Sequence, residues 1–329
     1  MRFGRAALIL PALTAALLVA APLRAATLED IVSAVVRIKT AITPDGQTVS
    51  SLGREREGSG VVIDEDGLVL TIGYLMVEAQ GATITTNAGR AVPATVVGYD
   101  HESGFGVLRT IEPLRIKPLP FGRAADVKVR DPVLIASAGG AAMTSPAYVA
   151  AKREFAGNWE YLLDEAIFTM PPHPAWSGAA LISREGKLLG IGSLIVGDAA
   201  GNGEGTPGNM FVPIDRLLPI LGDLIAEGRV AGAGRPWIGV AADETRGRLV
   251  VSRVTAGGPG ERAGIRRGDA IVGVAGEAPQ GLADFYRKLW ATGAAGATVP
   301  LDVERDGDKR RVDVKSINRL DHLKLKSTL

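Results

Sequence analysis

From residue 33 onward the chain consists of short apolar and β-branched runs separated by turn signals. Asp66-Gly67 and Glu185-Gly186 mark two of these breaks, and such dipeptides favour tight hairpin turns. Because no helical pattern separates the runs, they predict an antiparallel barrel or sandwich. Residues 41–57 are polar and predict an exposed loop. The predicted strands are residues 34–38, 60–63, 68–71, 94–97, 132–135 and 188–191.

One helical pattern follows these strands. Asp215 is a good N-cap, Gly228 is a good stop signal, and Pro219 is compatible with a helix only in its first turn. We therefore predict a helix between Asp215 and Gly228. The apolar positions at helical spacing are Leu217, Leu218, Leu221, Leu224 and Ile225.

A second compact unit is predicted beyond residues 228–236, whose glycines are typical of an interdomain linker. Its helix is expected near 281–291, and the polar, mildly basic tail after Ser316 is expected to be frayed. The helix positions that share one face are Leu282, Phe285, Tyr286 and Leu289. The strands of this unit are expected near 237–241, 248–254, 270–274 and 299–305.

The first 26 residues are typical of an export signal. Arg2 and Arg5 precede an apolar run over residues 6–21, which is shorter than the ~20 residues that a membrane-spanning helix needs. The expected location is the periplasm. An uncleaved anchor in the inner membrane, facing the periplasm, is the alternative, because Leu23 or Arg24 disturbs the small-residue cleavage pattern.

Composition and charge narrow the classes of function. The 329 residues are enough for about two domains at ~150 residues each. The 37 basic and 36 acidic residues give a formal net charge of +1, which argues against a nucleic-acid partner. The absence of cysteine excludes thiolate metal sites, disulfides and cysteine nucleophiles.

The residues around the other candidate motifs argue against a metal site and a phosphate-binding loop. We therefore expect no cofactor or metal. Asp100, His101 and Glu102 lack a further ligand at a recognisable spacing, which argues against a metal site. Residues 197–208 hold five glycines but no Gly-Lys-Ser/Thr, so a surface loop is expected there rather than a phosphate loop. The clustered arginines, which predict a solvated face, are Arg262, Arg266 and Arg267.

Several short motifs occur in an order and spacing that resemble the HtrA (DegP/DegS-like) serine proteases. The motifs are residues 58–64, 70–71, 97–100, 106–108, 177–178, 186–191, 211–213, 235–240, 263–265, 268–271 and 303–307. The resemblance implies a mainly β fold, in which a trypsin-like double β-barrel is followed by a small α+β PDZ domain. The implied organisation is a signal peptide (1–26), barrel domain (27–230), linker (231–236), PDZ domain (237–317) and polar tail (318–329).

The catalytic positions implied by this resemblance are altered. Tyr74 stands where the family has its histidine, and Gly104 stands where it has its aspartate. Ser177 keeps the nucleophile position, but Ala175 replaces a glycine whose amide lines the oxyanion hole, and the bulky Trp176 lies between them. A trypsin-type triad needs all three side chains, because serine is a poor nucleophile without an adjacent base.

These substitutions predict a pseudoprotease, since a tyrosine with an ordinary pKa near 10 is protonated at neutral pH. The alternative is an active periplasmic serine endopeptidase that uses Ser177 with another base. His101 is predicted to be an exposed turn residue, and His173 is expected near Ser177, four residues away. His322 falls in the predicted tail and is given no role.

The PDZ-like unit keeps the parts needed for peptide binding. PDZ domains add an extended peptide to a sheet edge and hold its terminal carboxylate on backbone N–H groups. The corresponding loop here is Trp237-Ile238-Gly239-Val240. Phe285 and Leu289 are expected either to form the opposite wall of the pocket or to fill the domain core.

The expected partners are polypeptides or peptide C-termini, bound during envelope protein quality control. An active HtrA paralogue is a further possible partner. The family often forms trimers through aromatic residues near the mature N-terminus, but residues 27–73 contain no Phe, Tyr or Trp. A trimer is therefore implied by the resemblance alone.

Overall fold

The structure, a computed structural model, describes residues 27–325 of the chain. The predicted export signal lies outside these residues. Within residues 27–325, no helix is both long and apolar enough to cross a membrane.

Six antiparallel strands close into a first barrel. They are β1 (Val35–Ile42), β2 (Glu55–Val62), β3 (Leu68–Ile72), β4 (Ala79–Thr85), β5 (Ala91–Tyr99) and β6 (Phe105–Thr110). Their order around the barrel is β1-β2-β3-β6-β5-β4. Ile38, Val69 and Leu108 are fully buried in its core. Gly67, at the predicted turn between β2 and β3, has a φ of +90°, which glycine adopts without steric cost.

Six further strands close into a second barrel. They are β7 (Pro132–Ala136), β8 (Thr144–Gly157), β9 (Tyr161–Met170), β10 (Ala180–Ile182), β11 (Leu188–Val196) and β12 (Gly208–Pro213). Their order is β10-β11-β12-β9-β8-β7. Leu70 and Phe105 of the first barrel belong to the same apolar core as Phe168 and Leu181 of the second. The predicted antiparallel barrel is confirmed, although no sequence pattern predicted the long β8–β9 hairpin.

Three helices accompany the barrels: α1 (Leu28–Ser33), α2 (Val49–Leu52) and α3 (Leu218–Glu227). The predicted helix is confirmed as α3, which has Pro219 in its first turn and ends at Gly228 with a φ of +70°. The predicted N-cap is wrong. Asp215 lies in a preceding 3-10 turn, and its carboxylate accepts from the N–H groups of Ala124 and Ala125 at 3.0 and 2.8 Å.

The C-terminal unit contains a five-stranded antiparallel sheet whose strands follow chain order. Its elements are β13 (Val240–Thr245), β14 (Arg248–Val254), α4 (Pro259–Arg262), β15 (Ala270–Val274), α5 (Leu282–Ala291), β16 (Thr298–Arg305), β17 (Asp308–Lys315) and α6 (Arg319–His322). The first strand starts later than predicted, because residues 237–239 form a loop. The predicted helix is confirmed as α5, whereas β17 was not predicted.

Two segments differ in part from their predictions: residues 41–57 are mostly exposed, as predicted, but do not form one loop, and the tail is not frayed. β1 and β2 extend into residues 41–57, so that Ala41 pairs with Glu55. The tail turns back as α6, and Leu320 and Leu323 pack against the core of the first barrel. The tail also covers the start of the PDZ-like unit, because the ring of His322 lies 4.9 Å from that of Trp237.

One buried carboxylate joins these two segments. Glu78 accepts from the N–H groups of Gln47, Thr48 and Lys324 at 2.9, 2.8 and 2.8 Å. Burial acts to raise the pKa of Glu78, but the hydrogen bonds outweigh burial and hold that pKa below its ordinary value.

We expect Glu78→Gln to lower the free energy of unfolding by about 2 kcal/mol, because an amide cannot satisfy donors on both of its terminal atoms. The folded-state pKa of Glu78 lies below its unfolded value. Its contribution is therefore present above the unfolded pKa of about 4.3 and is lost as the pH falls through the lowered folded value. Urea unfolding at pH 7 and at pH 3 measures both effects.

The matched control is Glu112→Gln, since the side chain of Glu112 is 65% exposed and pairs with Arg90 on the surface. It should change the free energy of unfolding by about 0.5 kcal/mol or less. Equal losses in the two variants at pH 7 would contradict a structural role for the Glu78 carboxylate.

Candidate active site

The predicted nucleophile and the residue at the predicted base position meet at the junction of the two barrels. Tyr74 lies in a 3-10 turn, Gly73–Leu75, directly after β3, and Ser177 lies in the loop before β10. The Tyr74 Oη atom is 2.9 Å from Ser177 Oγ and 2.8 Å from the carbonyl oxygen of Ser193. No sequence pattern indicates the Ser193 contact, which depends on how the barrels pack.

The phenol of Tyr74 is a hydrogen-bond donor here and not a base. Burial raises the pKa of Tyr74 to about 12. The phenolate that could accept the Ser177 proton is therefore essentially absent at neutral pH. The Ser193 carbonyl can only accept a hydrogen bond, which favours the phenol proton pointing towards it. The side chain next to Ser177 is therefore a hydrogen-bond partner that stays protonated at neutral pH.

Gly104, which is predicted to stand at the family's aspartate position, lies in a closely packed turn. Gly104 has a φ of +83°, and a Cβ atom added there would lie 3.1 Å from Tyr161 Oη. The Tyr161 hydroxyl donates to the Ser103 carbonyl at 2.7 Å. The carbonyl of Gly104 accepts from the N–H of Gly73 at 2.7 Å, which links this turn to the turn of Tyr74.

The amide at the predicted oxyanion position is engaged within its own loop. The Ala175 N–H donates to His173 Nδ1 at 3.1 Å, and His173 Nε2 lies 3.3 Å from the Met143 carbonyl. Burial lowers the pKa of His173, which keeps its ring neutral with the proton on Nε2. The Ser137 hydroxyl donates to the Ala175 carbonyl at 2.5 Å. His173 is thus near Ser177 in the chain but does not serve as its base.

His101 is not the exposed turn residue that the sequence predicted. Its Nδ1 lies 3.0 Å from Tyr99 Oη, and its Nε2 lies 2.7 Å from Arg319 Nη1 and 3.1 Å from the Glu160 carbonyl. Burial, reinforced by the charge of Arg319, holds the pKa of His101 well below its ordinary value. Both ring nitrogens have hydrogen-bond partners other than Ser177, because the histidine packs between the barrels and the C-terminal unit.

The acidic neighbours of His101 have structural partners. Asp100 Oδ2 accepts from the N–H of Ser103 at 2.7 Å, and Glu102 pairs with Arg235 at 3.0 Å. Among residues 27–325, no group of three or more His, Asp or Glu side chains is placed to hold a metal ion.

The backbone around Ser177 is closely packed. Gly178 has a φ of +73°, and a Cβ atom there would lie 1.9 Å from the Ser59 carbonyl oxygen. A Cβ atom at Gly58 would lie 2.8 Å from the Ser177 carbonyl oxygen, which accepts from the N–H of Ser59 at 2.9 Å. The serine loop is therefore held in place by its contacts with the first barrel.

The loop that is predicted to hold a peptide carboxylate binds a side-chain carboxylate of the same chain. The N–H groups of residues 238–240 donate to the carboxylate of Glu160, in the turn between β8 and β9. Trp237 instead packs against the tail. Phe285 and Leu289 are fully buried in the core of the unit.

Two antiparallel barrels with a serine at their junction, followed by a five-stranded α+β unit, define a protein of the trypsin-like class with a PDZ domain. Two domain families match this sequence: Trypsin-like peptidase domain over residues 58–191 and PDZ domain over residues 236–316. The chain belongs to the HtrA family of serine proteases, and the resemblance seen in the sequence is confirmed.

Three relatives illustrate the similarity. Serine protease PepD of Mycobacterium tuberculosis is 30% identical over 288 residues, which cover 80% of this chain and 62% of PepD. Putative serine protease HhoA of Synechocystis sp. is 30% identical over 292 residues, which cover 77% of this chain and 68% of HhoA. A probable periplasmic serine endoprotease, DegP-like, of Hahella chejuensis is also 30% identical, and 56% of it is covered. The chain spans between half and about two thirds of the length of such curated relatives.

Solved structures share the fold. The HtrA-type protease AlgW with a decapeptide has a TM-score of 0.51 at 20% identity, over 91% of this chain and 99% of AlgW. A serine endoprotease from Yersinia pestis has a TM-score of 0.50 at 21% identity, over 88% of this chain and 97% of that protein.

We expect Gly104→Asp, which introduces a carboxylate at the predicted aspartate position, to lower the free energy of unfolding by about 2 kcal/mol. The left-handed backbone disfavours a side chain there, and the new Cβ would press on Tyr161 Oη. Combining it with Tyr74→His should not produce peptidase activity, because the Ala175 amide stays bonded to His173. Urea unfolding and casein hydrolysis are the measurements.

Gly89→Asp is the matched control, because Gly89 has a φ of +84° and nothing within 4 Å of an added Cβ. Its free energy of unfolding should fall by about 1 kcal/mol, because only backbone strain is introduced. If both glycine variants lost the same stability, the packing of Tyr161 against position 104 would be refuted.

Proposed function

We propose that this chain is a catalytically impaired HtrA homologue, a pseudoprotease, which binds polypeptides or peptide C-termini through its PDZ domain. The observation that carries the proposal is the hydrogen bond between Ser177 and the phenol of Tyr74, a group whose pKa is far too high for a general base. The engagement of the Ala175 amide by His173 supports it, since the oxyanion hole then lacks a donor.

Peptide binding is supported by the C-terminal unit. Residues 238–240 direct three successive N–H groups at a single carboxylate, as a loop that captures peptide C-termini would. The fold relative AlgW has been solved with a decapeptide and with a tripeptide. We infer that this chain's PDZ domain takes ligands of the same chemical kind.

The proposed setting is the cell envelope, where the chain would act as a chaperone, scaffold or regulator in protein quality control. Relatives named as periplasmic endoproteases and the export-like residues 1–26 support this setting. A homotrimer and a complex with an active HtrA paralogue are the assemblies that the family suggests.

A second candidate function is serine endopeptidase activity with an unusual base. It is favoured by the retained Ser177, its tightly packed loop and the names of the relatives. In this case some other group would have to deprotonate the serine, and Tyr74 would have to move away from it.

Hydrolysis of unfolded casein by residues 27–329 separates the two functions. Loss of a triad member costs on the order of 10⁴ to 10⁶ in turnover, so we expect no cleavage above that of Ser177→Ala, with trypsin as the positive control. Cleavage that disappears in Ser177→Ala would overturn the pseudoprotease proposal and establish the endopeptidase.

A further inference from the structure

The carboxylate of Glu160 makes the bonds that a peptide C-terminus would make. Its Oε1 accepts from the N–H groups of Gly239 and Val240 at 2.6 and 3.0 Å, and its Oε2 accepts from the N–H of Ile238 at 3.1 Å. Three successive backbone donors converging on one carboxylate form a nest-like anion site. All three donors are used, so a peptide carboxylate has no free donor in this loop.

The rest of the turn lies in the same groove and contacts both of its walls. The Asn158 side chain donates to Asp243 of β13 at 2.6 Å. The Tyr286 hydroxyl, from α5, donates to the Gly157 carbonyl at 2.7 Å and accepts from the N–H of Glu160 at 3.1 Å. Leu162 is buried in the apolar core of the PDZ domain beside Phe285 and Leu289. Residues 157–162, hereafter the plug, thus occupy the space where a peptide would lie.

Glu160 holds this place at a local energetic cost. Its φ is +58°, a left-handed conformation that is unfavourable for glutamate. The side chain is buried, and burial raises the pKa of Glu160 to about 7 although three N–H groups favour the ionised form. A turn glutamate whose side chain pointed into solvent would avoid the cost of burial. The inward orientation is compensated by the three hydrogen bonds that Glu160 accepts from residues 238–240.

We propose that the plug is an intramolecular ligand of the PDZ domain, with Glu160 in place of a peptide C-terminus, so that the groove is closed in the resting protein. An incoming peptide C-terminus binds only after it displaces the plug. This inference rests on the proposed function that the PDZ domain binds C-termini. The apparent affinity for peptides is lowered by the fraction of molecules in which the groove is open, and removal of the Glu160 carboxylate raises that fraction.

The direct test is hydrogen exchange, read by mass spectrometry on the segment that contains the amides of residues 238–240. In the folded protein without peptide, we expect Glu160→Ala to exchange these amides at least tenfold faster than the parent chain. Glu165→Ala is the matched control, because Glu165 lies on β9, the strand that follows the turn of Glu160, is 53% exposed and pairs with Lys152 of the barrel. Unchanged protection in Glu160→Ala would overturn the plug, whether or not any peptide binds.

Glu160→Gln is a second variant, which keeps the shape of the side chain and one accepting oxygen. It should show intermediate exchange, and it keeps the test decisive if Glu160→Ala does not fold, as judged by its thermal unfolding. Faster exchange confined to the Glu160 variants supports the plug. Equal acceleration in Glu165→Ala would attribute the effect to general loosening of the hairpin and contradict it.

Peptide binding then distinguishes this inference from the proposed function. The probe is a fluorescein-labelled decapeptide that ends in three apolar residues, with a free or an amidated C-terminus. Fluorescence anisotropy should show at least tenfold tighter binding of the free acid by Glu160→Ala than by the parent chain or Glu165→Ala. Equal, tight binding by all three proteins would refute the plug and leave the function standing. Accelerated exchange without binding of either peptide would support the plug and refute C-terminal recognition.

Discussion

The hydroxyl of Ser177 lies 2.9 Å from the phenol of Tyr74, and the proposed loss of peptidase activity depends on this contact. An imidazole in that position could take up the serine proton near neutral pH, whereas a buried phenol with a pKa of about 12 is already protonated and does not accept a proton. The residues at positions 104 and 175 are consistent with the same interpretation. A carboxylate at position 104 would have no imidazole to orient, and the Ala175 amide is satisfied by His173. The loop itself persists because its backbone is part of the packing between the barrels.

The barrels could be predicted from sequence wherever an apolar run ended in a glycine turn, as at Gly67. The β8–β9 hairpin could not, because its apolar pattern is interrupted by charged residues. The structure shows why these are tolerated: Lys152 Nζ donates to the Ala124 carbonyl at 3.1 Å, and the Arg153 guanidinium lies 3.9 Å from the centre of the Phe168 ring. Long side chains lay their stems along the barrel and place their charges at its rim, which an apolar–polar pattern does not register.

Motif spacing was enough to predict that Tyr74 and Ser177 lie close together, because each stands at a fixed offset from a buried strand. Contacts between distant segments could not be predicted in this way. Glu160 reads as an ordinary polar turn residue, and its partners lie 78 to 80 positions further along the chain. The tail read as frayed because only two of its residues, Leu320 and Leu323, carry the apolar contact with the first barrel. Both contacts form only against the folded surface of another domain, which a local sequence pattern does not describe.

The reactivity of Ser177 tests the central claim most directly. A fluorophosphonate labels a serine only when a neighbouring base removes its proton, and intact-protein mass spectrometry counts the adducts. We expect no adduct on the folded protein at pH 7.5 under conditions in which trypsin is fully labelled. A single adduct that maps to Ser177 and is absent from Ser177→Ala would contradict the claim that Tyr74 leaves this serine without a base.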